Sequence, residues 1–380
     1  MRFLRIPFVP VMLVPLALAA CGSSTSPTPI VSAQPATQLG IATQPAALVS
    51  GAPLTTQPVV QLRDASGGLV VGATNAVTAT LNGSGGTLSG GTTVNAANGV
   101  ATFKDLTITG MGSYTLSFTS GTLTATTSAS ITVTNVLFQD DFKTSGAQLN
   151  VAAWTTEFGP SSFFGRTQLS DWVHAGAGGT FMVGANGAEL ALNTYNPGGF
   201  SLFGTHGKTV QMFVPTATRT IEFTARVQIT SLQPGVVYGL YFYGCPGNCA
   251  TQHDEIDIEL VTNLLQAGAP PMVQLNRYAN EPLGAGHGGP TSLPAGFDPL
   301  APHDWTIRWS LSRIDYLVDG TLLGSSTNIV PQGAMSVNVN AWGPATDWPQ
   351  AYSAALQPAG SAAANSRFVA YLKSVVVRAN

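Results

Sequence analysis

Residues 253–260 read His-Asp-Glu-Ile-Asp-Ile-Glu-Leu, and four of the chain's 18 acidic residues lie between Asp254 and Glu259. Side chains alternate along a β-strand, so Glu255, Asp257 and Glu259 share one face and Ile256, Ile258 and Leu260 share the other. The aliphatic face packs against a second layer. Burying the acidic face against apolar side chains would carry a large desolvation cost, so it must line water, a metal or a polar ligand. Three carboxylates on one face also repel, which raises at least one pKa and keeps one group protonated near neutrality. Such a pair of unlike carboxyls suits glycoside hydrolysis, which needs an ionised nucleophile and a protonated acid. A calcium site and a solvated acidic face are the other readings of the same residues.

The rest of the chain fits this strand. Charged residues are 9% of the 380, against roughly a quarter in an average soluble protein, and 42 Gly and 25 Pro take up much of the difference. No segment sustains a 3.6-residue apolar stripe, so the expected fold class is all-β, with many short strands joined by Gly/Pro turns. A net charge of −3, with no basic run beyond the N-terminus, argues against a nucleic-acid partner.

Residues 1–21 read as an export signal: Arg2 and Arg5 precede an apolar run from Ile6 to Ala20 that is short for a membrane span. Residues 22–37 form a Ser/Thr/Pro tether. From 38 to 134, roughly seven short alternating runs split by glycine turns predict a small immunoglobulin-like sandwich. Its only charged residues are Arg63, Asp64, Lys104 and Asp105, a poor endowment for acid–base chemistry. From 135 to 380 the strands lengthen and aromatic residues and carboxylates become common, as expected of one large antiparallel sandwich or barrel. Cys245 and Cys249 flank a Pro-Gly-Asn turn and read as a small-loop disulfide; half of a metal site is the competing reading.

Two resemblances sharpen these expectations. Leu18-Ala19-Ala20-Cys21 resembles the lipobox of bacterial lipoproteins. It implies lipidation of Cys21 and export to the bacterial outer membrane or cell surface. Glu255-Ile-Asp-Ile-Glu259 resembles the ExDxE strand of glycoside hydrolase family 16, the lichenases, laminarinases and xyloglucan transglycosylases. Segments in the same order extend the likeness over nearly all of 136–380: Phe138-Gln-Asp-Asp-Phe142 with Trp154, Val273-Gln-Leu-Asn-Arg-Tyr278, Phe297-Asp-Pro, His303-Asp-Trp-Thr-Ile-Arg-Trp309, Ile314-Asp-Tyr-Leu-Val-Asp-Gly320, and Asn338-Val-Asn-Ala-Trp342 followed by Asp347-Trp348. The 38–134 segment resembles bacterial Ig-like repeats.

The family resemblance implies a concanavalin A-like β-jelly-roll sandwich and a retaining endo-acting β-glucan hydrolase. Glu255 would be the nucleophile, Glu259 the general acid/base, and Asp257 the group that tunes Glu255. Tyr243, Asn276, Tyr278, Asn340 and Trp342 would line the sugar cleft, with Asp347 and Trp348 at its rim. Trp309 reads as core. Three positions depart from the family: Thr224 stands for an acidic sugar contact, His253 for a frequent Trp, and Leu372 or Lys373 for an aspartate that binds structural calcium, so no cofactor is required and calcium is doubtful. The absence of an extra residue before Glu259 leans toward the lichenase and xyloglucan branches. The expected partners are a polysaccharide and, through the lipid, a membrane, with the protein a monomer. A non-catalytic glycan-binding adhesin, or a transglycosylase on the same site, is the alternative.

Overall fold

The computed structural model describes residues 34–47, 49–143, 149–155, 163–171, 183–198, 202–245, 247, 249, 251–266, 270–282 and 286–380. The signal segment, Cys21 and most of the tether lie outside the described residues.

Alternating burial organises the N-terminal strands. Ala76–Asn82 and Gly112–Thr119 each point every second side chain inward. They belong to a sheet with Thr93–Asn95, Thr126–Thr127 and Ile131–Val133, while Gln38–Thr43, Val59–Arg63 and Val100–Thr102 form a second sheet. Both sheets contribute to one apolar cluster, in which the Phe103 and Phe118 rings lie 5.5 Å apart. At Asn98 and Gly99 both φ values are positive (51° and 78°) and Ala97 and Val100 exchange backbone hydrogen bonds, the two-residue hairpin turn that an Asn-Gly pair favours.

The strands from Val136 onward build a separate, larger β-structure with its own core. Its main strands are β1 (Gly187–Asn193), β2 (Leu202–Phe213), β3 (Ile221–Ile229), β4 (Val237–Gly244), β5 (His253–Val261), β6 (Met272–Glu281), β7 (His303–Trp309), β8 (Ile314–Val318), β9 (Thr321–Ser326), β10 (Met335–Trp342) and β11 (Arg367–Ala379). A front sheet runs β2-β10-β4-β5-β6, antiparallel throughout. A back sheet runs β1-β11-β3-β7-β8-β9. Pairing of β1 with β2 joins the two into one closed network of strands, a jelly-roll-like all-β fold.

The core forms where the inner faces meet. Phe242 of β4 touches Phe223 of β3 and Trp309 of β7, with ring centroids 5.5 and 5.4 Å apart. Trp309 is wholly buried and its indole N–H donates to the Pro331 carbonyl at 2.9 Å, so its one polar atom is satisfied inside the core. Ile256, Ile258 and Leu260 of β5 enter the same cluster with no exposure. The aliphatic face of β5 thus anchors the strand and turns its other face away from the core.

Candidate active site

Antiparallel register sets residues of neighbouring strands side by side on the same face. Across the outer face of the front sheet this produces three rows. The first holds His206, Asn340, Gly239, Glu259 and Gln274. The second holds Lys208, Asn338, Tyr241, Asp257 and Asn276, and the third Met212, Ser336, Tyr243, Glu255 and Tyr278. The register of β4 against β5 runs unbroken from Gly244–Asp254 to Val237–Val261, so no bulge separates the acids. Glu255, Asp257 and Glu259 therefore occupy successive rows at the middle of the sheet, flanked by tyrosine and amide side chains.

The three carboxyls differ in environment. Asp257 is 5% exposed, while Glu255 and Glu259 keep partial exposure. Burial, the charge of Glu255 and a hydrogen bond shared with Glu255 together hold the Asp257 carboxyl well above the usual carboxylate range. Burial, followed by the charge of Asp257, does the same to Glu259. Both groups thus retain a proton at a pH where an ordinary carboxyl has lost it. Asp254, the fourth acid, points away from this face. Its oxygens accept the Asn280 N–H at 2.8 Å and the Gly333 N–H at 3.0 Å, which ties the end of β6 to the approach to β10.

Beside the acids, the same face forms a polar floor. Asn340 accepts the Gly239 N–H at 3.1 Å and donates to the Tyr241 hydroxyl at 3.3 Å. His206 and Asn338, both fully buried, meet at 3.2 Å. On β6, Asn276 donates to the Tyr278 hydroxyl at 3.1 Å, and its carbonyl accepts the Tyr316 hydroxyl at 2.7 Å. Gly239 stands opposite Glu259, and a Cβ there would come within 2.4 Å of the Asn340 amide oxygen. Only glycine leaves that contact intact.

The other expected site residues differ in exposure. Asn340 and Trp342 are only 2% and 7% exposed. Asn340 is engaged in the floor, and Trp342 packs between Phe164, 4.3 Å away, and Trp348, 5.7 Å away and stacked. Both still lie on the face of the front sheet that carries the acids. Asp347 is exposed and Trp348 half-buried. The segment that carries them is held by Arg166, whose guanidinium donates to the Ser353 and Leu356 carbonyls and lies over the Tyr352 ring. Thr224 is a correction. It faces outward on β3 in the back sheet, hydroxyl to hydroxyl with Thr306 at 2.9 Å, so it stands in for no sugar contact in this cleft.

Cys245 and Cys249 form a disulfide with Cα atoms 5.3 Å apart, in the connection from β4 to β5 at the Glu255 end of the cleft. At the position where the resemblance implied a calcium ligand, Leu372 is core and the Lys373 ammonium lies 3.5 Å from the Asn186 carbonyl. Among the described residues, no group of three or more His, Cys, Asp or Glu is arranged to hold a metal ion.

Sequence reasoning missed the floor residues Tyr241, Asn338 and His206. Alternation from Tyr243 would have found Tyr241, and alternation from Asn340 would have found Asn338. His206 gave no signal beyond being a lone histidine in an apolar strand. His253 was read only as a flanking position, yet its ring nitrogen lies 3.1 Å from a Glu255 oxygen.

Comparison with known proteins gives one family match and a set of similar structures. Residues 182–357 match the family described as glycosyl hydrolases family 16. Similar solved structures include a prokaryotic β-1,3-1,4-glucanase (lichenase) derived from a mouse hindgut metagenome, 18% identical over 63% of this chain and 98% of that one, with a TM-score of 0.47. The Bacillus licheniformis β-glucanase is 21% identical over 63% of this chain and 97% of its own, with a TM-score of 0.45. The catalytic domain of an endo-1,3-β-glucanase (laminarinase) from Thermotoga petrophila is 14% identical over 64% and 97%, with a TM-score of 0.46. No curated protein matches the chain. The matched segment runs from just before β1 to beyond β10 and encloses the acidic strand.

Proposed function

We propose that the chain is a retaining, endo-acting hydrolase of β-glucan, with Glu255 as nucleophile and Glu259 as general acid/base. The observation that carries this reading is the set of three carboxyls in successive rows of one sheet face, two of them pushed up in pKa by burial and a neighbouring charge. Asp257 retains its proton and shares a hydrogen bond with Glu255, which leaves the negative charge of that pair on Glu255. Glu259 starts protonated and gives its proton to the leaving glycosidic oxygen while Glu255 attacks the anomeric carbon. The glycosyl ester is then opened by water, whose proton passes to Glu259. Tyr243, Tyr278 and Asn276 flank the acids and supply ring faces and an amide to a pyranose. No metal takes part in this scheme. We place the protein on the bacterial surface, held by lipid on Cys21, with the 38–134 sandwich as a spacer.

A panel of mixed-linkage β-glucan, laminarin, cellulose derivatives and xyloglucan, followed by reducing-end assay and proton NMR of the first-formed anomer, tests the reading. Internal cleavage of at least one polymer with retention of the β-anomer is expected. No release from any of them would leave only a glycan-binding role, and the α-anomer would rule out the double displacement.

A further inference from the structure

His253 begins the acidic strand, and its side chain has no exposure. Its ring lies against Tyr243 of β4 and Tyr278 of β6, with centroids 5.6 and 4.5 Å away. These two tyrosines stand on either side of Glu255 in its row. Nδ1 is 2.6 Å from the Glu281 carbonyl, which can only accept, so Nδ1 carries hydrogen. Nε2 is 3.1 Å from Glu255 Oε2. A bare Nε2 facing a carboxylate oxygen would set two lone pairs against each other. The contact is attractive only with a proton in it, and while Glu255 is ionised that proton sits on His253.

We infer that His253 is a positioning residue for Glu255: as an imidazolium it holds Oε2 of the free nucleophile, and losing that partner when the glycosyl ester forms drives the ester's breakdown. This rests on the reading of Glu255 as nucleophile. In the first step the anomeric carbon exchanges its bond to the leaving oxygen for a bond to Glu255, and the Glu259 proton goes to that oxygen. The ester has no full charge with which to pair the buried cation. In the second step water bonds to the anomeric carbon, its proton goes to Glu259, and the electron pair of the ester bond returns to Glu255, where His253 receives it.

The His253 ring has no exposure, so in the ester its charge stays without a partner until Glu255 is freed. Burial is the largest influence on the His253 imidazole and holds its pKa below the ordinary value, the Glu281 carbonyl and the charges of Asp254 and Glu281 offsetting only part of that, so the geometry of the Glu255 contact and not the ring's own basicity carries the assignment. The titratable groups facing it are Glu255 and Asp254 on its own strand, Tyr243 on β4, and Tyr278 and Glu281 on β6. Glu281 is in turn paired with His287 at 2.8 Å.

The test uses His253→Phe, which removes donor and charge, and His253→Gln, which keeps a neutral donor. The probe is 2,4-dinitrophenyl cellotrioside or laminaritrioside, according to the linkage cut. Both variants are expected to release a larger dinitrophenolate burst than the wild type. The steady rate that follows should be at least about tenfold slower, with KM falling alongside kcat because the ester accumulates. A fall in kcat with neither burst nor lowered KM, or unchanged kinetics, overturns the inference while the hydrolase reading stands. A wild type inert toward every polymer sinks both. Should neither variant fold, ring 15N NMR of the wild type decides: a protonated Nε2 at the pH of maximal activity supports the inference, and a bare Nε2 contradicts it.

Discussion

Replacing Glu255 by Gln is expected to abolish polysaccharide hydrolysis, by more than about 10³-fold in kcat, while binding of the same polymer changes only a few-fold. Glutamine keeps the shape of the side chain but does not form the glycosyl ester, and it leaves the aliphatic anchors of β5 untouched. Ile256, Ile258 and Leu260 stay buried whatever occupies position 255, so the strand keeps its register. The substitution also removes the charge that raises Asp257, so Asp257 in the variant should ionise at a lower pH than in the wild type. Reducing-end assays beside affinity electrophoresis on the polymer check both halves. Hydrolysis that survives at more than a few per cent would mean that Glu255 is not the nucleophile.

Replacing Glu259 by Gln is expected to act differently on substrates that need a proton and on those that do not. Cleavage of polysaccharide should fall by about 10²- to 10⁴-fold, because the sugar leaving oxygen must be protonated as its bond breaks. A dinitrophenyl glycoside leaves without help, so its first step should remain within about tenfold of the wild type, followed by slow turnover that added azide accelerates. The pH profile carries the same signature. Because burial and the Asp257 charge raise the Glu259 pKa, the acid form persists above the usual carboxyl range and activity is lost as pH rises through that raised value. In the Gln variant that alkaline limb should vanish from the dinitrophenyl reaction. A limb that persists there belongs to another group, and equal losses on both substrates would remove Glu259 from the acid role.

The parts of the structure that were legible in the sequence are those governed by one strand at a time. The alternation of 253–260 dictates which acids share a face, because the period of two is a property of the backbone itself. The same rule sets Trp305, Ile307 and Trp309 together in the core, and the turn chemistry at Cys245 and Cys249 corresponds to a real disulfide. What the sequence left hidden depends on pairing between distant strands. β4 and β10 are buried nearly along their whole length, so alternation names a face without telling how deep it lies. The burial of Asn340 and Trp342 was therefore not legible: it comes from Gly239 and Tyr241 beside the one and from Phe164 and Trp348 beside the other. Thr224 was misplaced for a related reason: its spacing from Arg226 carries no information on which of two sheets β3 joins. His253 was obscured because the contact that matters to it, between Nε2 and Oε2, depends on side-chain packing among Tyr243, Tyr278 and the Glu281 carbonyl.

The central claim is that a glycosyl group is carried on Glu255, and trapping that group tests it most directly. Incubation of the wild-type protein with a 2-deoxy-2-fluoro aryl glycoside of the preferred linkage should slow the second step and add one glycosyl mass. Peptide mapping is expected to locate that mass on Glu255, and the Glu255→Gln protein should gain none. A label on Asp257 or Glu259, or a fully active protein that acquires no label while releasing the aryl group, would contradict the account.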